Sequence, residues 1–125
     1  MSYKSLFIEQ TENLLNELCT ILPDNKNMEL YKEKFYIVKK ANSILIINSF
    51  IKYVLKHKKN ILERNETFFL NDQIVKNEFA EGHYNYAVNL QNDWINISEE
   101  NKNIIWKYFH VLILLAEKYI INNMS

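Results

Sequence analysis

The stretch from Ser98 to Ile121, SEENKNIIWKYFHVLILLAEKYII, constrains the fold more than any other part of the chain. It holds neither glycine nor proline, and its apolar residues recur at helical spacing. At about 100° per residue, Ile105, Phe109, Leu112, Ala116 and Tyr119 fall on one line. Trp106, Ile113 and Ile120 flank that line on one side; Tyr108, Leu115, Ile104 and Val111 flank it on the other. So wide an apolar arc predicts a helix enclosed on several sides. Ser98 is placed to cap it, and Glu99 and Glu100 set negative charge against the positive end of its dipole.

The rest of the chain reads as helix too. One glycine and one proline in 125 residues leave few positions for tight turns, which disfavours a many-stranded sheet. Residues 3–22 form an amphipathic helix with Phe7, Leu14, Leu15, Leu18, Cys19, Ile21 and Leu22 inward, ended by Pro23-Asp24. A second helix is predicted from Met28 to Ala41, with Leu30, Tyr31, Phe35, Ile37, Val38 and Ala41 inward. Lys34 falls inside that apolar arc. Ile44 to His57 follows the Asn42-Ser43 cap. Its run Ile44–Ile47 is short enough to suit a buried strand, but Ile47, Ile51, Val54 and Leu55 continue at helical spacing and decide for helix. Between Lys58 and Glu81 one or two short helices are expected, the later one closing at Gly82. Tyr84 to Ile95 reads as helix, and Asn96-Ile97 turns into the long one. The expected fold is all-α: a single domain, residues 1–125, in which four to six helices surround a buried C-terminal helix.

Charge narrows the function. Fifteen basic and fifteen acidic residues cancel overall, so no net field draws the chain to nucleic acid or membrane. The distribution is uneven: residues 1–31 sum to −3, residues 32–64 to +7 and residues 65–125 to −4. Lys39, Lys40, Lys52, Lys56, Lys58 and Lys59 cluster at predicted helix ends. They can neutralise phosphates, or they can oppose helix dipoles and pair with the chain's own acidic residues. The single arginine, Arg64, gives little means of bidentate phosphate or base contact.

Chemistry beyond contact finds little support. His57, His83, His110 and Cys19 lie far apart in sequence and match no metal-ligand spacing. With one glycine, no phosphate-binding loop or dinucleotide turn can be built. No cofactor and no enzymatic activity are expected. The lone cysteine forms no internal disulfide and suits a reducing compartment. No signal peptide and no membrane span are read. The sequons at Asn65, Asn96 and Asn123 read as chance in an asparagine-rich chain.

Two features suggest a contact surface. Phe68-Phe69 either plugs one end of the core or anchors a partner. Leu114 lies opposite Ile105, in the sector of Lys107, His110, Glu117 and Lys118, where an amphipathic helix is ordinarily polar. The favoured expectation is that another element covers it, with Lys58–Glu81 the candidate. Otherwise Leu114, with His110 beside it, marks a surface for a second copy or a protein partner.

Asn65-Glu66-Thr67-Phe68-Phe69-Leu70, followed by the run from Asn92-Asp93-Trp94 to Ile105-Trp106-Lys107-Tyr108, resembles a pattern in uncharacterised small helical proteins of large nucleocytoplasmic DNA viruses. The likeness covers about the second half of the chain, and Asn65 stands where the pattern carries aspartate. The resemblance implies a virus-encoded protein of the host cytoplasm or the virion, and brings no catalytic residues. Taken together, the expected function is a non-enzymatic interaction or structural module, in virus assembly or host-protein binding. The alternative is a nucleic-acid-binding accessory protein using the six lysines.

Overall fold

The computed structural model describes residues 2–69 and 91–123, apart from the side chains of Phe68 and Phe69. In chain order these form α1 (Tyr3–Ile21), α2 (Lys26–Asn42), α3 (Ile44–Tyr53), a 3₁₀ turn (Leu55–His57), α4 (Lys58–Leu62), α5 (Glu66–Phe69), a helical segment at 91–95, and α6 (Glu99–Asn123). No strand occurs among the described residues. The fold is an all-α bundle. The expected cap at Gly82 and the start of the helix placed at Tyr84 lie outside the described residues.

Local chemistry sets most of the boundaries. The Ser2 side chain accepts from the Ser5 N–H at 3.0 Å and caps α1. At its far end the Leu22 N–H still donates to the Leu18 carbonyl at 2.8 Å. Pro23 has no N–H to continue the ladder. Asn25 then caps α2, its side-chain oxygen accepting from the Asn27 N–H at 2.8 Å. At α6 the Asn101 N–H donates to Ser98 Oγ at 3.2 Å, so Ser98 is the cap its sequence position implies.

One core joins four of these helices. Phe7 and Leu14 come from α1, Ile47 and Phe50 from α3, and Ile61 from α4. Half of the cluster comes from α6: Ile105, Trp106, Leu112, Ile113 and Ala116. Phe7 and Phe50 meet edge to face at 5.0 Å, a favoured aromatic geometry. The long C-terminal helix is thus the one α1, α3 and α4 pack on. α1 runs antiparallel to it: Tyr3 lies under the Lys118 ammonium, while Ile21 and Leu22 line the same cleft as Ile97 and Asn101.

Two expectations change. Periodicity places Ile37 and Ala41 on the inward face of the second helix, but both are exposed, and Met28 and Phe35 are the buried residues of α2. The physical reason is that α2 lies at the edge of the bundle, outside the main cluster, and packs mainly on α1 and α3. Lys39 pairs there with Glu12 at 3.7 Å. A hydrogen bond to Glu12 pushes the Tyr36 hydroxyl above its ordinary value. The predicted helix from Ile44 to His57 also breaks, at Val54, where the chain tightens into the 3₁₀ turn. That break redirects the backbone so that Ile61 is buried against α6. Burial of that large apolar side chain contributes about 1.5–3 kcal/mol.

Candidate interaction surface

Four contacts in sequence order fasten α4 and α5 along α6. Lys58 Nζ donates to Glu117 Oε2 at 2.6 Å, and the Ile61 carbonyl meets His110 Nε2 at 3.2 Å. Arg64 Nη1 donates to Asn103 Oδ1 at 2.7 Å, and Lys102 Nζ pairs with Glu66 Oε1 at 3.2 Å. Ascending numbers in the first segment meet descending numbers in the second, so this part of the chain runs antiparallel to α6.

Arg64 makes that course possible. Its φ of 54° is left-handed, a conformation glycine adopts most easily. The Arg64 N–H donates to the Ile61 carbonyl at 3.0 Å and the Asn65 N–H to the Asn60 carbonyl at 2.9 Å, closing α4 in a Schellman motif. A non-glycine residue there costs about 1–2 kcal/mol, offset in part by the hydrogen bond to Asn103. The chain's one arginine is therefore used inside the fold.

Beyond this turn sits a charged residue that sequence reasoning missed. Lys102 is only 8 % exposed. Its ammonium also lies 3.6 Å from Glu99 Oε1 and 5.4 Å from the centre of the Trp94 ring. Trp94 in turn meets Trp106 edge to face at 5.5 Å. The available signal was Glu99 three residues before Lys102, a spacing that places two helical side chains together.

With α1 and α4–α5 in place, the described residues leave one side of α6 open. Its buried residues, Lys102, Ile105, Trp106, Leu112, Ile113 and Ala116, fall within one arc. Opposite them Val111 is 40 % exposed, Leu114 52 % and Ile121 70 %. Among the described residues nothing covers Leu114; residues 70–81 of the expected cover lie outside them. Lys58–Phe69 turns instead toward His110 and Asn103, because the Lys58, Ile61, Arg64 and Glu66 contacts all lie to one side of Leu114. His110 is half-buried against Ile61 and does not share the exposure of Leu114. Phe68 and Phe69 belong to α5 by backbone, and the plug-or-anchor question falls on side chains outside the description.

The six lysines do not form one surface patch of unpaired charge. Lys39 reaches Glu12 on α1 and Lys58 reaches Glu117 on α6. Lys52 lies 5.1 Å from the centre of the Tyr53 ring. Lys40, Lys56 and Lys59 are exposed. Exposed ion pairs of this kind contribute about 0–1 kcal/mol each, so the pairing orients the lysines more than it stabilises the fold.

Reactive groups are sparse. Among the described residues no group of three or more histidine, cysteine or acidic side chains is arranged to hold a metal ion. An open cleft of ≈ 430 Å³ lies where the α1–α2 turn meets the start of α6, and Asp24, Asn25, Asp93, Asn96 and Asn101 supply its polar lining. The Asn25 amide donates to Asp93 there, and Ser98 Oγ is occupied as the α6 cap. Burial pushes the Cys19 thiol above its ordinary value, and the Glu29 carboxylate beside it adds charge and a hydrogen bond in the same direction, against the weaker pull of Lys32. A raised value means less thiolate at neutral pH and slower attack. Alkylation of Cys19 by iodoacetamide at pH 8 should therefore be slower in the folded protein than in the denatured chain, and Glu29→Gln should speed it. Equal rates in folded and denatured protein would contradict this environment.

The chain matches no family model, no curated protein and no solved structure. Among the described residues, no helix is long and apolar enough to cross a membrane. The outward side of α6 is the feature that geometry alone singles out.

Proposed function

We propose that this chain is a non-enzymatic interaction module whose working surface is the outward side of α6. The observation that carries this reading is the exposure of Val111, Leu114 and Ile121 along one helix, directly opposite its core face. Single exposed leucines are ordinary, but aligned apolar residues on one open side form a surface that water wets poorly and a partner can cover. The internal ion pairs of Lys39 and Lys58 favour this reading over nucleic-acid binding, because those lysines already have carboxylate partners. The single cysteine suits a reducing cytoplasm. A virus-encoded role in assembly or host-protein binding accords with the resemblance of the Trp94–Tyr108 stretch.

Leu114→Lys tests the surface. The substituted side chain points to solvent, so the stability of the single chain should change by less than about 0.5 kcal/mol. Affinity capture from the producing cell should then lose whatever the unmodified protein retains through this face, with or without nuclease. Recovery that depends on nucleic acid would transfer the function to Lys39, Lys40, Lys52, Lys56, Lys58 and Lys59. Identical capture by both proteins would overturn the assignment of the surface.

A further inference from the structure

The open side of α6 has a periodicity that its exposure alone does not reveal. Glu100, Ile104, Lys107, Val111, Leu114, Lys118 and Ile121 are spaced alternately four and three residues apart. All are exposed except Ile104, which is half-buried. That alternation is the seam of a coiled coil, whose natural occupant is another helix seated knob into hole. A sheet edge or an extended peptide would not match it.

Charge decides which helix. In a parallel pair of identical chains, Lys107 would face the partner's Lys107 and Lys118 the partner's Lys118. An antiparallel pair centred between Leu112 and Ile113 would set Lys107 against the partner's Lys118. Both arrangements bring like charges together in an apolar seam. Shifting the antiparallel pair by one heptad, so that the twofold axis passes at the level of Phe109, removes the conflict. Glu100 then faces the partner's Lys118, Ile104 faces the partner's Leu114, and Lys107 lies on the partner's Val111. Twofold symmetry makes each pairing twice. The Lys107 stem can lie along Val111 while its ammonium reaches water.

From this complementarity we infer that the partner is a second copy of this chain, joined antiparallel through α6 in the register that pairs Glu100 with Lys118. The inference rests on the reading of α6 as the working surface and adds its occupant. Among the described residues neither end of the pair has an ion-pair partner. Glu100 is exposed in the first turn of α6, and the Lys118 ammonium lies 5.8 Å from the centre of the Tyr3 ring.

Sedimentation equilibrium over a concentration series provides the test. The unmodified protein should move from the 15.1 kDa of one chain toward twice that mass. E100K and K118E should each weaken association by about tenfold or more, since each sets like charges face to face twice. The double variant E100K/K118E should recover it, because the exchanged charges again oppose each other. Circular dichroism melting of all four proteins checks that each remains folded, and K118E gives a loss variant outside the first helical turn. A protein that stays single at every concentration would overturn the self-pairing, as would a double variant no better than the single ones. If the chain stays single while Leu114→Lys still abolishes capture, the surface stands and only its occupant is wrong.

Discussion

Trp106→Ala should destabilise the protein by about 3–5 kcal/mol, the usual loss for removing a buried large aromatic ring. Trp106 is 3 % exposed and sits in the one cluster that joins α1, α3, α4 and α6. Its ring also receives the edge contact of Trp94, with the two planes at 80°. Such aromatic pairs add about 0.5–1.5 kcal/mol beyond the area they bury. The substitution therefore opens a cavity at the core and removes the ring against which Trp94 packs. Chemical denaturation followed by circular dichroism at 222 nm should show a lower midpoint. Trp106→Phe should lose less, because it keeps part of the ring in place. A loss under about 1 kcal/mol for the alanine variant would contradict the central place of this residue.

Lys102→Ala should cost about 2 kcal/mol, and Lys102→Met under about 1 kcal/mol. The difference separates two parts of one buried side chain. Its stem is buried with the rest of the residue, whereas its ammonium faces the Trp94 ring and meets Glu66 and Glu99, which keep 38 % and 84 % of their side-chain surfaces exposed. Both carboxylates can turn to water when the ammonium is lost, so neither is left buried without a counter-charge. Methionine retains the stem's volume and alanine does not. Matched losses for the two variants in urea denaturation would show that the ion pairs, rather than the packed stem, hold α5 to α6.

Much of the architecture was legible in the sequence because the information is local. A chain with one glycine and one proline, apolar residues at helical spacing and serine before two glutamates yields helices with readable ends. Ser98 caps α6, Pro23 closes the way out of α1, and Trp106 is buried. Each outcome depends on residues within about one helical turn, or on a periodicity that any packed helix must obey.

What tertiary structure decided is which apolar side chains meet one another. Ile37 fits the inward stripe of its helix, but α2 lies at the edge of the bundle and leaves it exposed. Arg64 adopts a glycine-like turn because the hydrogen bonds of the Schellman motif and Asn103 hold it there. Lys102 is buried because Glu66 arrives from thirty-six positions earlier in the chain. The apolar excess of α6 has the same origin. Periodicity showed that the helix has more apolar surface than one face needs, but it could not assign a cover. Only the placement of α1, α4 and α5 shows that, among the described residues, Val111, Leu114 and Ile121 remain uncovered, because helical spacing fixes the direction of a side chain and says nothing of what stands in front of it.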